Sequence, residues 1–242
     1  MIKLAENKNE LGFLPADPFA ATVTALAETY GFNNSGFVRF YIQDDSAALS
    51  IIDGNATVCA GESADFEEIS AFLNTAGYNT VKAEKSVIEK LNLSISDSSY
   101  IVKFIPASYP EPEGFVSEYD LREIYDLLDL AGFPTGEFGA FKADICARIN
   151  HGAAKFGGIA ESGRLLATCL RLFEGEKSVL LGAVVTNPEA RGRGLASALV
   201  PFMADAEKPS FLFCRNDGLL KFYEKSGFEE YGKWAISVRG NN

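Results

Sequence analysis

Thr186–Ser197 reads TNPEARGRGLAS, lying between an apolar, β-rich run, Lys177–Thr186, and a stretch with Leu195, Leu199, Phe202 and Met203 at helical spacing. A strand therefore feeds a glycine-containing turn that opens a helix. Glycines at such a junction let the backbone approach an anion closely, and the amides of the first helical turn, at the positive end of the dipole, can hold a phosphate or pyrophosphate. Arg191 and Arg193 add fixed positive charge. The plainer reading is a solvent-exposed turn ahead of an amphipathic helix. A dinucleotide-binding turn of the Rossmann type is the obvious competitor, and it fits badly. Asn187–Arg191 intervenes before the first glycine, the full G-x-G-x-x-G is absent, and the runs upstream read as antiparallel neighbours.

Those upstream runs are Phe156–Glu161, Arg164–Phe173 and Lys177–Thr186, joined by the turns Ser162-Gly163 and Glu174-Gly175-Glu176. Two helices precede them. Asp120 caps Leu121–Leu130, with Glu123 at the reciprocal position of a capping box, and Glu137–Asn150 carries Phe138, Phe141, Ile145 and Ile149 on one side. Downstream, the helix Gly192–Ala206 contains Pro201, which should kink it. A strand Ser210–Cys214, a helix Gly218–Lys225 and a hairpin around Phe228–Val238 follow.

Further out, Ala107–Gly114 reads ASYPEPEG, a composition break that Pro110 and Pro112 keep out of regular structure. We divide the chain there into residues 1–108, a linker at 109–115, and residues 116–242. Upstream, Phe37–Ile42, Ala47–Ile52 and Asn55–Cys59 read as a strand meander. A helix over Asp65–Thr75 closed by Gly77, a short helix at Ser86–Leu91 and a strand at Tyr100–Ile105 complete a smaller α+β domain.

Composition bounds the function. The 242 residues hold 22 Lys+Arg against 33 Asp+Glu, a net charge of -11. No basic run is available to meet a polyanion, which argues against nucleic acid as a partner. The longest apolar runs fall far short of the roughly 20 residues a membrane span needs, and the N-terminus, MIKLAENKNELGF, lacks a signal-peptide pattern. Cys59, Cys146, Cys169 and Cys214 form no CxxC pair and there is a single histidine, so no metal site is expected. Reduced, buried thiols in a cytoplasmic protein are the expectation. His151 follows the helix that ends near Asn150, where interaction with the helix dipole is a better reading than catalysis.

Two motifs resemble those of the GNAT acyltransferases. The family's pyrophosphate loop, Arg/Gln-x-x-Gly-x-Gly/Ala, is matched by Arg191, Gly192, Arg193, Gly194, Leu195 and Ala196. A second signature, Asn followed seven residues later by Tyr and then by Gly-Phe, is matched by Asn216, Tyr223, Gly227 and Phe228. The resemblance covers about Val116–Val238. It implies the acyl-CoA N-acyltransferase fold: α+β, with a mixed, mainly antiparallel sheet flanked by helices. It implies acetyl-CoA as acyl donor, bound between two splayed strands. Backbone groups of Val184, Val185 and Thr186 would orient the pantetheine and thioester. The amides of Gly192, Arg193, Gly194, Leu195 and Ala196, with Arg191 and the Ser197 hydroxyl, would cradle the pyrophosphate, and Asn216 would contact the cofactor arm. Tyr223 would lie near the sulfur, where a phenol with pKa near 10 is protonated at neutral pH and can give its proton to the departing thiolate. Packing is its alternative role.

The acceptor is implied to be a primary amine of a small molecule or peptide. The acidic balance suggests a cationic one. Glu161 and Glu174 are candidate bases, each better read as a solvated surface acid, and Glu189 belongs to the loop. The first half resembles part of the same fold without either motif, which implies a partner domain that binds no CoA. A tandem arrangement and a homodimer are both consistent with the family. The competing reading is a catalytically inactive CoA-binding or sensing protein on this scaffold.

Overall fold

The computed structural model describes residues 1–32 and 37–240. Strand β1 (Ile2–Leu4) and a short 3-10 turn lead into helix α1 (Pro18–Tyr30). Three antiparallel strands follow, β2 (Val38–Gln43), β3 (Ala47–Ile52) and β4 (Asn55–Ala60). Then come α2 (Phe66–Ala76), β5 (Thr80–Glu84), α3 (Lys85–Lys90) and β6 (Asp97–Phe104). The second half runs through β7 (Phe115–Val116), α4 (Leu121–Leu130), α5 (Phe138–Asn150), β8 (Lys155–Glu161), β9 (Arg164–Glu174) and β10 (Val179–Thr186). It ends with α6 (Leu195–Met203), β11 (Ser210–Cys214), α7 (Asp217–Lys225) and β12 (Phe228–Val238).

The halves repeat one pattern: three antiparallel strands, a helix, a strand pairing parallel to the third, a helix, and a last strand. Among the described residues the twelve strands form one sheet, in the order β1-β2-β3-β4-β5-β12-β6-β11-β10-β9-β8-β7. The last strands are exchanged. β12 lies between β5 and β6, and β6 lies between β12 and β11. Each half is thus completed by a strand of the other, and the connection at 109–115 joins halves that share a sheet. The terminal hairpin expected at Phe228–Val238 is not formed. The segment is one continuous strand of 11 residues whose partners are β5 and β6 of the first half. Alternation alone identifies such a strand and leaves its partner open.

Helices α1, α4 and α5 cover one face of the sheet; α2, α3, α6 and α7 cover the other. Asp17 caps α1, its carboxylate accepting from the amides of Phe19 and Ala20, and Pro18 stands at the first helical position. Ten of the 13 residues of α1 are buried, because the helix lies across the middle of the sheet and touches strands of both halves. Asp120 accepts from the amides of Arg122 and Glu123 and starts α4, as the sequence predicts. Helix α6 ends at Met203, short of the expected Ala206, with Pro201 in its final turn.

Candidate functional site

Strands β10 and β11 pair in parallel only at Val179–Leu181 with Ser210–Leu212. Beyond Leu181 they separate, and the cause is local. The register of β10 against β9 slips by one residue between Gly182 and Val185, and Ala183 takes a left-handed φ of 49°. The Thr168 hydroxyl donates to the Ala183 carbonyl at 2.7 Å and fixes the bulge. β10 is bent away from its neighbour, and a cleft of about 740 Å³ opens where the next strand residues would have paired.

One wall of the cleft is Leu181–Thr186, with Arg191 and Ala196 behind it. The opposite wall is Leu212, Phe213, Leu219, Phe222 and Tyr223. The turn Ala131–Pro134 between α4 and α5 overhangs it, and Lys82, Trp234 and Ile236 form its far end. Helix α6 meets the cleft with its N-terminus. Its cap is Gly194, in the left-handed conformation at φ 78°, with no side-chain cap and no acid in the first turn. Gly192 is also left-handed, at φ 79°, and a Cβ at either glycine would point into open space. The amides from Gly192 to Ser197 therefore have no partner among the described residues, a row of converging donors that an anion can satisfy.

Tyr223 is buried on α7 and packs against Phe222 and Phe228 at ring-centroid distances of 5.1 and 5.7 Å. Burial, reinforced by the neighbouring thiols of Cys169 and Cys214, raises its pKa well above that of a free phenol. The hydroxyl accordingly keeps its proton at neutral pH.

Of the residues singled out in the sequence, Val184, Val185, Thr186, Arg191, Ala196 and Tyr223 line this one cleft. Gly192, Arg193, Gly194, Leu195 and Ser197 form the adjoining loop and first helical turn. The Arg193 side chain turns outward and pairs with Glu161 at 3.0 Å. Asn216 lies apart from the cleft lining. Its Oδ1 accepts from the Leu219 amide at 2.9 Å, capping α7, and it borders a separate polar hollow with Lys85, Arg215 and Lys233.

The three acids weighed in the sequence lie outside the cleft lining. Glu161 is exposed, and Arg193 holds its carboxyl below the usual range. Glu174 is half-buried and pairs with Lys155 at 2.9 Å and Arg171 at 3.5 Å. Glu189 bonds Arg164 at 2.7 Å. Each is held by a base outside the cleft, and no carboxylate among the described residues lines the cleft itself. Its ionisable lining is Lys82, Arg191, Arg215 and Tyr223, a cationic set inside an acidic protein. The acidic balance that suggested a cationic acceptor is thus carried by the outer surface. His151 sits beyond the end of α5 with Nδ1 2.8 Å from the Ala147 carbonyl, remote from this lining. Lys82 and the Ala131–Pro134 turn were not singled out in the sequence. Lys82 belongs to β5, a strand not assigned in the sequence, where it alternates with the buried Val81 and Ala83.

Residues 119–228 match the acetyltransferase (GNAT) family. No curated relative matches the sequence. Among solved structures, a tandem GNAT protein from the clavulanic acid biosynthesis pathway is similar over 100% of both chains at 12% identity, TM-score 0.60. A GNAT-family acetyltransferase from Colwellia psychrerythraea is similar over 99% of this chain and 100% of its own, at 14% identity and TM-score 0.58. A putative GNAT-family acetyltransferase from Novosphingobium aromaticivorans covers 91% of this chain and 99% of its own, at 17% identity and TM-score 0.56. At these identities the likeness is one of fold.

Proposed function

From a C-terminal half that is a GNAT domain, we propose that the protein is an acetyl-CoA-dependent N-acetyltransferase acting on a primary amine by direct attack on the thioester. The observation that carries this reading is the uncapped start of α6 beside the cleft. Six consecutive amides without internal partners, in a stretch with two left-handed glycines, suit a pyrophosphate. Arg191 adds a fixed charge at that end, and Ser197 adds an exposed hydroxyl in the first helical turn. Bound acetyl-CoA supplies an activated acyl group whose C–S bond breaks as the C–N bond forms.

The chain's own residues do the remaining work. Bent away from β11, the backbone of Val184, Val185 and Thr186 keeps polar groups directed at the cleft and orients an extended ligand arm. Tyr223 holds its phenolic proton because burial disfavours the phenolate, and gives it to the departing sulfur. With no carboxylate in the lining, water takes the proton that the acceptor ammonium must lose. Asn216, as the cap of α7, supports Tyr223 by fixing the helix that carries it. The first half closes the far end of the cleft through Lys82, and its strand β6 completes the sheet beside β11.

Titration with acetyl-CoA by calorimetry, beside steady-state thiol release by Tyr223→Phe, tests this reading. Saturable binding is expected in both proteins, with kcat reduced on the order of 10²-fold in the variant. Absence of binding to the wild type sinks the cofactor assignment. An unaltered kcat removes Tyr223 from the mechanism, and binding without turnover on any amine leaves a CoA-binding or sensing protein.

A further inference from the structure

Lys82 is the residue in the cleft with no chemical explanation so far. It stands at the last position of β5 that pairs with β4, opposite Thr57, and faces Ile236 of β12 on its other side. Its ammonium lies 3.9 Å from the ring centre of Phe213 and 5.5 Å from that of Trp234. It has no hydrogen-bond or ion-pair partner among the described residues, and the nearest charge that acts on it, Arg215, is of the same sign. Burial and that repulsion lower its pKa to about 8, so it is still mainly charged at neutral pH.

Lys82 also stands where two hollows meet. The 740 Å³ cleft shares Lys82, Phe173, Leu180 and Phe213 with a second cavity of about 310 Å³ between α1, α5 and the sheet. The charged groups of that second cavity satisfy each other. Asp144 accepts from the Tyr30 hydroxyl at 2.7 Å and from Arg148 Nε at 3.2 Å. Lys82 alone retains an unmatched charge, with apolar walls on either side. It sits on the α1 and α5 face of the sheet, away from the Arg191 end of the cleft.

A half-buried ammonium without an anionic partner is costly, and it is relieved by a ligand of opposite sign. We infer that Lys82 is the anchor of an acceptor subsite for an amine whose other end is a carboxylate, with an apolar body lying along Phe213, Leu180 and Trp234. The inference deepens the acetyltransferase reading and rests on it for the direction in which the amine points. It runs opposite to the cationic acceptor that bulk charge suggests, because the groups within reach of a ligand decide recognition and the bulk charge lies outside.

The test uses matched product analogues and the full chain. N-acetyl-6-aminohexanoate is paired with N-hexylacetamide, and N-acetylphenylalanine with N-phenethylacetamide. Each is titrated calorimetrically into wild type, Lys82→Met and Lys82→Arg, with and without CoA. The expected result is that wild type binds the carboxylate member of at least one pair ten-fold or more tightly than its neutral partner. Lys82→Met, which keeps the unbranched stem, should lose that preference, and Lys82→Arg should keep part of it. If neither carboxylate is preferred by the wild type, or if Lys82→Met retains the preference, the subsite is overturned. Acetyl-CoA is titrated into all three proteins in parallel. Failure of the wild type to bind it would overturn the enzyme reading while the product-analogue series still decides the role of Lys82.

Discussion

Helices α2 and α6 occupy corresponding places in the two halves, each following the third strand of a meander and preceding a parallel-paired strand, yet their first turns are chemical opposites. At α2, Asp65 caps the helix by accepting from the Glu68 amide, and Glu67 and Glu68 place further acid in the first turn. At α6 the cap is a glycine without a side chain, the first turn holds no acid, and Arg191 and Arg193 precede it. The same backbone device is satisfied internally in one half and left open to an anion in the other. Fold repetition alone therefore does not transmit a binding site; a few residues at the helix start decide which copy carries it.

The comparison can be pushed until it fails. The largest effect concerns the shared strands. Residues 1–108 and 116–242 expressed separately should each lack cooperative unfolding, because β6 and β12 leave gaps in both halves, and mixing them should restore a folded complex that binds acetyl-CoA. Independent folding of either piece, followed by circular dichroism and thermal melting, would contradict the exchange. Next, Gly194→Asp makes the start of α6 resemble that of α2. Its carboxylate and the strain of φ 78° should lower acetyl-CoA affinity by roughly 100-fold or more by calorimetry.

A smaller effect distinguishes the Lys82 side of the cleft through pH. Its folded pKa of about 8 lies below the ordinary 10.5, so the unfolded chain binds the extra proton between these values. Stability should rise as pH increases through that window, and the penalty is fully present below it. Lys82→Met should remove the slope and raise stability at pH 7 by about 1–3 kcal/mol in urea unfolding. Smallest, Asp65→Ala should cost about 1 kcal/mol of stability through loss of the α2 cap, while leaving acetyl-CoA affinity unaltered.

Legibility in the sequence tracked how local the determining physics is. The bounds of α4, from Asp120 to Leu130, and of β11, from Ser210 to Cys214, follow from caps, turns and period within a few residues. Helix α1 escaped because it is buried on nearly every side and shows no polar face, although Asp17-Pro18 and Gly31 carry the start and stop signals. The partner of β12 is set by contacts with β5 and β6, far away in the chain, and alternation in Phe228–Val238 says nothing of them. At the site, the glycine loop was readable because glycine spacing encodes backbone shape. The fates of Glu161, Glu174 and Glu189 depended on arginines and a lysine brought in by neighbouring strands and loops. Lys82 lies on β5, a five-residue strand that the sequence reading leaves unassigned, and the residues around it come from distant segments.

The exchanged strands also order events during synthesis. Phe104 at the end of β6 meets Phe228 at the start of β12, so the gap between β5 and β6 stays open until β12 has been made. At roughly 5–20 residues per second, the first half emerges and waits for on the order of ten seconds with β5 open on one side and β6 on both. Long-range pairing of this kind makes folding slow and leaves edges exposed meanwhile. Because β12 completes the first half and joins it to β6, a nascent chain stopped short of it leaves β5 unpaired on one side, and the cleft beside Tyr223 acquires its wall at Trp234 and Ile236 only once β12 has emerged.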